Sequence, residues 1–437
     1  MKRLLSCLLL GLCLLPAKAQ NVDERIGGML NASDWFALER ELPTLKDSIQ
    51  YPFLRVMAEA LASMAFGRDD EAVTAIDTLI ANYQQDIGFG NTMNMVLLKS
   101  QVEARRQNYA AAADIVGSFV SQVKAKAPQV DVSNAELQYK LCDIKRNVKP
   151  STLERPAQDV AVEAAFDKID LSALGDTTDR GYMLCIPASV NGRPYTAVFD
   201  TGSPTTFCSM DFARKVGARL FADTIPITGT ALTHGFTGVI DSINVGSMTF
   251  RNAEVVVVDG DMVTDSLLQG DFVLGLDFMK LCGEVQFYPE EGKIVFPASL
   301  TPLPETGHNL YLTGTNGLRL EAYVNGERLD MSFDTGNSVT TFSKSYYDRH
   351  KQEIDSRGQR VTRLGGGVGS VSMNTVIILP PLALETGGDS VGLGKAGVYI
   401  EGNIAVLPGD GNAGLDIIQG CRKVTLNLKD LFLKIED

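Results

Sequence analysis

The spacing of apolar residues divides this chain into two parts with different periodicity. From about residue 21 to 150, apolar positions recur three and four residues apart, and Ala, Leu, Met, Gln and Glu dominate, a pattern typical of amphipathic helices. From about residue 180 onward, short alternating runs of Val, Ile, Phe and Tyr are separated by Gly and Asn turns, which predicts strands. We therefore expect a multidomain protein with an all-α part followed by an all-β part.

Three segments of the helical part share one profile, in which polar, cap-like residues precede apolar positions three and four apart. They are residues 31–39, 67–76 and 106–115, and they recur at intervals of roughly 36 to 39 residues. This arrangement resembles tetratricopeptide-type helical hairpins, whose period is about 34 residues, although the Trp and Pro pattern of that family is missing. We expect a helical-hairpin repeat domain over residues 20–127. It is either a partner-binding surface or a cap that packs on the rest of the chain.

Residues 128–179 are interpreted as a connector between the two parts. Pro128, Pro150 and Pro156 interrupt this stretch, and proline ends regular structure because it lacks a backbone donor. Within the connector, the polar and apolar pattern predicts a short helix from Gln158 to Lys168.

Composition and charge narrow the range of functions. The chain has 437 residues, of which 45% are hydrophobic and 21% charged, which excludes a disordered, collagen-like or heptad-repeat protein. A formal net charge of −13 argues against nucleic-acid binding, which needs a positive surface. The chain has only three histidines, too few for a His-rich metal site. We expect neither a metal nor a cofactor.

The first 19 residues have the features of a secretory signal peptide. Lys2 and Arg3 form a basic segment, Leu4 to Leu15 is apolar, and residues 17–19 read Ala-Lys-Ala before Gln20. No other run reaches about 18 apolar residues, so no transmembrane segment is expected after cleavage. The sequence therefore predicts an exported protein, either periplasmic or secreted.

Five of the seven cysteines lie beyond the predicted cleavage site, without a C-x-x-C pair. Export would permit disulfides, yet an odd number leaves at least one thiol free unless chains cross-link. The simplest interpretation is that these cysteines are small buried hydrophobic residues.

The β part contains an internal repeat. Residues 190–203 align with residues 324–337, and in both copies Val-Asn-Gly lies ten residues before an Asp-Thr-Gly, which contains Asp200 or Asp334. Asn-Gly between alternating residues predicts a tight hairpin, so each Asp is expected on a loop just past the second strand. A Gly-Leu-Asp block follows in each copy, and after it come predicted strands at 285–288 and 293–296, and at 424–427 and 431–435. We expect two lobes, at 180–300 and 301–437.

A duplicated Asp-Thr-Gly has a chemical rationale. Two lobes related by approximate twofold symmetry can place two carboxylates side by side, and at about 3 Å their repulsion is on the order of 5 kcal/mol. Such a pair retains one shared proton at mildly acidic pH. One carboxylate then activates a water as general base, and the protonated partner acts as general acid toward the scissile carbonyl. This chemistry needs no His, no metal and no nucleophilic Ser.

These motifs resemble those of the aspartic peptidases of the pepsin and retropepsin kind, and the two copies look like a bacterial, two-lobed, fused retropepsin-like enzyme. The resemblance covers about residues 180–437 and implies a bilobal, double-psi β-barrel-like domain. It further implies that Asp200 and Asp334 form the catalytic dyad, that two threonines join the loops, and that Ser203 hydrogen-bonds the outer oxygen of Asp200. The supporting loop residues would be Thr201, Gly202, Ser203, Thr335, Gly336 and Asn337.

This sequence departs from the family pattern at several positions. Asn337 stands where Ser, Thr or Ala is usual, and Ala413 replaces a larger apolar residue before the second Gly-Leu-Asp block. The first flap, expected around residues 227–240, lacks the Tyr of pepsins. The flap and substrate-binding candidates are His234, Gly235 and Phe236 in the first copy, and Gly366 and Gly367 in the second.

Two functions remain open at this level. The first is an aspartic endopeptidase that acts on peptides or unfolded proteins and needs only one chain for its site. The second is an inactive peptide-binding protein that uses a protease-like cleft, with the helical repeats recruiting a partner. Asp277 and Asp416, in the two Gly-Leu-Asp blocks, are interpreted as structural carboxylates.

Overall fold

The computed structural model describes residues 19–169, 181–228, 232–258, 270–368, 370–402 and 409–437. Residues 1–18, which carry most of the predicted signal peptide, lie outside this range. The chain forms two compact units. One comprises the described residues up to Val148 together with Tyr311–Asn316, and the other comprises Lys149–Leu310 with Gly317–Asp437.

The first unit is helical, as the periodicity predicted. Its core is built from apolar residues at helical spacing, among them Ile26, Leu30, Leu38 and Met57, which are fully buried. Its helices are α1 (Ala19–Ala32), α2 (Trp35–Leu45), α3 (Pro52–Ala65), α4 (Asp69–Asn82), α5 (Gln84–Arg105), α6 (Tyr109–Lys126) and α7 (Ser133–Asp143), with a 3-10 turn at Lys46–Ser48.

The three similar segments of the sequence form three similar turns. In each, a residue with positive φ precedes the N-cap of the next helix: Ser33 before α2, Gly67 before α4 and Gln107 before α6. The N-cap amide bonds a carbonyl five residues earlier, as Asp34 N does to Met29 O and Arg68 N to Ser63 O. These left-handed turns close the preceding helix, so each segment marks the junction of two helices.

The predicted connector is largely regular structure. Residues 133–143 form α7, which packs its Ala135 and Cys142 side chains into the helical unit. The helix predicted from Gln158 to Lys168 is wrong, because this stretch forms two strands, β2 (Val160–Glu163) and β3 (Ala165–Lys168). Its local composition suits a helix. However, Val160 and Val162 alternate with exposed residues, and β2 pairs with the strand at Lys293–Phe296, so tertiary pairing overrides propensity.

The second unit is largely β, as predicted. In its first half the strands are β1 (Thr152–Glu154), β2, β3, β4 (Tyr182–Val190), β5 (Arg193–Phe199), β6 (Phe207–Ser209), β7 (Arg219–Thr228), β8 (Leu232–Val245), β9 (Met248–Val258), β10 (Phe272–Leu274), β11 (Glu284–Tyr288) and β12 (Lys293–Phe296). Two short helices, α8 (Met210–Val216) and α9 (Leu276–Cys282), and a 3-10 turn at Pro289–Glu291 accompany them.

The second half repeats much of this order. Its strands are β13 (Leu310–Leu312), β14 (Leu318–Val324), β15 (Glu327–Phe333), β16 (Thr341–Phe342), β17 (Gln359–Gly367), β18 (Ser370–Leu379), β19 (Leu382–Thr386), β20 (Asp389–Leu393), β21 (Ala396–Glu401), β22 (Gly411–Ala413), β23 (Lys423–Asn427) and β24 (Phe432–Glu436). Its helices are α10 (Lys344–Arg357) and α11 (Asp416–Gln419).

Three sheets organise these strands. One has the order β1-β9-β6-β10-β5-β4-β8-β7 with β3 on β4, and another has the order β17-β18-β21-β16-β22-β15-β14-β19-β20. A five-stranded sheet, β2-β12-β11-β23-β24, connects the two halves, because β11 pairs with β23 through partners such as Val285 and Leu426. The strands predicted at 285–288, 293–296, 424–427 and 431–435 therefore meet in one sheet.

The two Asn-Gly pairs form the predicted hairpin turns. Asn191 and Gly192 have φ of 51° and 76°, and Asn325 and Gly326 have φ of 51° and 78°. Positive φ at both central residues is the geometry of the type I′ turn, which suits Asn-Gly. The turns join β4 to β5 and β14 to β15, and β5 and β15 each end one residue before an Asp-Thr-Gly.

All five cysteines in the described range are buried, which agrees with their interpretation as small buried hydrophobic residues. Within the described ranges, none of the helices combines the length and apolar character that a bilayer crossing requires.

Candidate active site

Two short parallel pairings position the aspartates. β10 runs parallel to β5, and β22 runs parallel to β15. The Asp200 amide donates to Leu274 O (3.1 Å), and the Asp334 amide donates to Ala413 O (3.0 Å). Both aspartates therefore follow a buried strand and are held by the neighbouring strand in the same way. Ala413 is fully buried at this contact, so its small side chain is compatible with the pairing.

Thr201 and Thr335 cross-link the two loops. Thr201 Oγ1 donates to Phe333 O (3.0 Å) and accepts from the Thr335 amide (3.0 Å). Thr335 Oγ1 donates to Phe199 O (2.7 Å) and accepts from the Thr201 amide (3.0 Å). Both threonines are fully buried, so these four bonds form away from water. This is the hydroxyl-to-backbone grip that the family resemblance implied.

Each glycine of the Asp-Thr-Gly triplets lies against the opposite aspartate. A β-carbon built on Gly202 would lie 2.3 Å from Asp334 Cγ, and one on Gly336 would lie 2.6 Å from Asp200 Cγ. No side chain other than hydrogen fits at these distances. Glycine at the third position thus allows the two carboxyl groups to meet across the loops.

The two carboxyl groups are within hydrogen-bonding contact of each other. Asp200 Oδ1 accepts from the amides of Gly202 (2.7 Å) and Gly336 (3.1 Å). Asp334 Oδ1 accepts from the amides of Gly336 (2.9 Å) and Asn337 (3.2 Å). Burial, followed by the negative charge of Asp334, raises the pKa of Asp200 well above its usual value. Asp200 therefore retains its proton to a higher pH than an isolated aspartate would.

The side chains that follow the two glycines do not contact the dyad. Ser203 Oγ donates to Thr205 O (2.6 Å), so the expected bond from Ser203 to the outer oxygen of Asp200 is not formed. Asn337 Nδ2 donates in the same manner to Val339 O (2.8 Å). Because Asn337 reaches Asp334 through its backbone amide, its larger side chain leaves that contact intact.

Sequence reasoning missed Asn412. This residue lies on β22 beside Ser332 of β15, and its Nδ2 donates to Asp334 Oδ2 (2.8 Å). The residue was visible as the first member of the segment before the second Gly-Leu-Asp block, where the first copy has Val273. The polar substitution in an apolar position was the signal that could have identified it.

Asp277 and Asp416 accept hydrogen bonds from threonines that follow the two Asp-Thr-Gly motifs. Thr206 Oγ1 donates to Asp277 Oδ1 (2.9 Å), and Thr340 Oγ1 donates to Asp416 Oδ1 (2.7 Å). The threonine hydroxyls in turn accept from the amides that open the Gly-Leu-Asp blocks, at 3.4 Å in the first half and 3.0 Å in the second. Burial raises the pKa of each of these aspartates to about 6. Their contacts are structural, as the sequence indicated.

One comparison with known proteins covers the first aspartate loop. Residues 186–278 match the family model described as Aspartyl protease, and this match includes Asp200 with its loop and the first Gly-Leu-Asp block. The first half of the β unit is therefore similar to aspartyl proteases over the matched residues. Among solved structures, the aspartic proteinase from Irpex lacteus is similar at 14% identity, over 64% of this chain and 97% of that chain, with a TM-score of 0.38. No curated protein matches the chain.

The flap candidates of the β unit lie on two hairpins. His234, Gly235 and Phe236 are on β8, paired with β7, and Gly235 and Phe236 also pair with β9. A β-carbon on Gly235 would lie 2.2 Å from Val257 O, so this glycine is packed within the sheet. Gly366 and Gly367 lie at the end of the β17–β18 hairpin, opposite Val371 and Ser370. Residues 229–231 and Gly369 lie outside the described residues.

Nothing among the described residues forms a group of three or more His, Cys, Asp or Glu that could hold a metal ion. The chemical groups that the described residues bring together at this place are two carboxyl groups. Such a pair can take a proton from a water and donate one to a carbonyl oxygen at the same time.

Proposed function

We propose that the protein is an exported aspartic endopeptidase that hydrolyses peptide bonds in peptides or unfolded proteins. The observation that carries the proposal is the contact between the carboxyl groups of Asp200 and Asp334, on two loops cross-linked by Thr201 and Thr335. Because each loop glycine leaves room for the opposite carboxyl group, the arrangement is preformed in the fold.

The proposed reaction uses the shared proton. The ionised aspartate removes a proton from a water as the water oxygen attacks the peptide carbonyl carbon, and the protonated aspartate gives its proton to the carbonyl oxygen. The tetrahedral intermediate then collapses: its C–N bond breaks, and the leaving nitrogen takes a proton from the newly protonated aspartate. The dyad returns to one proton when the second hydroxyl reprotonates the other aspartate. Both aspartates come from one chain, so a monomer suffices.

The test is hydrolysis of an unfolded protein and of a peptide library between pH 3 and 7. We expect the variants Asp200→Asn and Asp334→Asn each to lose at least about 10³-fold in turnover, because each removes one of the two proton-transfer groups. Matched controls are Asp211→Asn and Asp348→Asn, whose carboxylates are 92% and 57% exposed and pair with nearby cations. If the controls retain wild-type activity, the loss in the dyad variants is caused by the lost proton-transfer group and not by the removal of a negative charge in general.

The absence of turnover by the wild type at every pH would contradict this function. In that case, saturable binding of an unlabelled library peptide, measured by competition against a fluorescent one, would favour the peptide-binding alternative. The departures that suggested the alternative, Asn337 and Ala413, leave the backbone bonds to Asp334 in place.

Two further parts of the proposal concern the rest of the chain. We propose that residues 1–19 direct export, which N-terminal sequencing of protein from the extracytoplasmic fraction tests by finding Gln20 first. We also propose that the helical unit either binds a partner or caps the cleft. Deleting residues 21–148 should raise turnover if the unit is a cap, and should leave it unchanged if the unit recruits a partner.

A further inference from the structure

The two aspartates of the dyad have unequal hydrogen-bond environments. Three N–H groups of the protein reach Asp334, namely the amides of Gly336 and Asn337 at Oδ1 and the side-chain amide of Asn412 at Oδ2. Two reach Asp200, both at Oδ1. Within the described residues, no N–H group donates to Asp200 Oδ2. Donors stabilise the ionised form of a carboxyl group, so the additional donor favours the charge on Asp334.

The inequality arises from one position on the paired strands. Asn412 of β22 and Val273 of β10 occupy the same place, two residues before the glycine of the Gly-Leu-Asp block. Val273 is buried, pairs with Val198 and has no hydrogen-bonding group in its side chain. Asn412 pairs with Ser332, two residues before Asp334. The parallel backbone pairing is alike in the two halves at this point, and the side chains differ.

The second polar atom of Asn412, its side-chain oxygen, does not stabilise the fold. Asn412 Oδ1 is buried and has no hydrogen-bond partner among the described residues. A buried carbonyl without a donor is unfavourable, and an apolar residue such as the Val273 of the other half would avoid that cost. The amide nitrogen faces Asp334 Oδ2, and this orientation suits an ionised Asp334, since a carboxylate only accepts hydrogen bonds.

Charged groups on the elements around Asp334 are engaged with other partners. Arg319 of β14 binds Asp330 and Ser332, Asp410 at the start of β22 binds Arg349, and Asp416 of α11 binds Thr340. Asp200 is the titratable group in contact with Asp334. The two carboxyl groups therefore differ in the hydrogen bond that Asn412 donates to Asp334.

We propose that Asn412 is a positioning residue that divides the roles within the dyad, holding Asp334 as the ionised partner and leaving the shared proton on Asp200. This inference rests on the proposed function for its mechanistic meaning. In the hydrolysis, Asp334 then removes the proton from the water, and Asp200 gives its proton to the carbonyl oxygen. The direction of the asymmetry is set by Asn412 and not by the Asp-Thr-Gly loops.

The decisive measurement is carboxyl titration by ¹³C NMR of full-length protein labelled at the Asp side chains, with signals assigned through Asp200→Asn and Asp334→Asn. In the wild type we expect the first deprotonation of the coupled pair to move mainly the Asp334 signal. In Asn412→Val that step should move up by about one pH unit and be shared by both signals, because the donor to Asp334 is lost. The matched control is Asn244→Val, which removes a strand Asn bonded to Ser189 and Thr249.

A reciprocal variant sharpens the test. Val273→Asn combined with Asn412→Val moves the donor to the other half, so the first deprotonation should now appear mainly on the Asp200 signal. A wild type that deprotonates first at Asp200, or an Asn412→Val variant whose titration matches the wild type, would overturn the proposal. Both results are read without turnover, so an inactive wild type contradicts the endopeptidase function and leaves this inference to be decided by the titration.

If the protein is active, the kinetics provide a second readout. Asn412→Val should lower kcat about tenfold with KM within about twofold, and should move the acid limb of the kcat profile up by about one pH unit. A change in KM alone, or a loss of folded protein without a shift in that limb, would assign Asn412 a merely structural role.

Discussion

Gly202 lies against the carboxyl group of Asp334, so close that a β-carbon on residue 202 would fall 2.3 Å from Asp334 Cγ. Gly336 stands in the same relation to Asp200, at 2.6 Å. Each half of the β unit therefore carries an aspartate and the space for the aspartate of the other half. The contact between the two aspartates therefore depends on both loops.

The close approach predicts the effect of adding one methyl group. Gly202→Ala and Gly336→Ala should each destabilise the protein by about 1–3 kcal/mol because the methyl must displace a carboxyl group. Turnover should fall at least tenfold, because displaced carboxyl groups no longer share a proton in place. Urea unfolding and peptide hydrolysis measure the two effects. Gly392→Ala, where a β-carbon meets nothing within 4 Å, is the control. Equal behaviour of all three variants would contradict the packing argument.

The crossed threonines predict a loss of stability on removal of one hydroxyl. Thr201→Val leaves the Phe333 carbonyl and the Thr335 amide, both buried, without their partners. Two unsatisfied buried groups should lower the free energy of unfolding by about 2–4 kcal/mol. Thr201→Ser keeps the hydroxyl and should cost about 1 kcal/mol for the lost methyl group. Unfolding midpoints in urea at one pH compare the two, and losses of the same size would show that the hydroxyl is not the stabilising group.

Asp277 predicts a pH dependence of stability. Burial raises its pKa from 3.8 to about 6, so the native state binds more protons than the unfolded state between these values. The stability it contributes is present below about pH 4 and is lost as pH rises through about 6, by at most about 3 kcal/mol. Asp277→Asn should remove this part of the slope. Its Oδ2 has no partner among the described residues, so an amide fits there.

The measurement is the urea unfolding free energy at pH 4 to 7 for the wild type, Asp277→Asn and the exposed control Asp211→Asn. Above pH 6, Asp277→Asn should be more stable than the wild type, because it carries no buried charge. If the unfolding free energy of Asp277→Asn depends on pH as steeply as that of the control, a group other than Asp277 causes the pH dependence. Asp416 would then be the next residue to replace.

The dyad itself predicts a bell-shaped activity profile. The proposed reaction requires one proton on the pair, and the pKa of Asp200 is raised well above its usual value by burial and by the charge of Asp334. Activity should therefore fall about tenfold per pH unit as pH rises through that raised pKa, and should fall again in stronger acid when both groups are protonated. The profile of kcat/KM against pH measures both limbs. Activity that keeps increasing from pH 4 to 9 would contradict a shared-proton mechanism.

Local features of the chain could be predicted because neighbouring residues determine them. The turns at Asn191 and Asn325 follow from residues that tolerate positive φ, and the alternating strands that flank them follow from periodicity. The helix predicted at residues 158–168 failed for the opposite reason. Its strands form only because Val160–Glu163 pairs with Lys293–Phe296, more than a hundred residues away in sequence.

The sequence by itself determined the two structural classes and the two Asp-Thr-Gly loops, because these depend on short-range patterns and on residue type. Only the tertiary structure decided which atoms meet. In the folded chain the Ser203 hydroxyl donates to Thr205 O and not to Asp200. The side-chain amide of Asn412, 78 residues beyond Asp334, donates to the Asp334 carboxylate. A hydrogen bond requires two atoms to approach within about 3 Å, and for residues so far apart in sequence that approach is set by strand register and not by local preference.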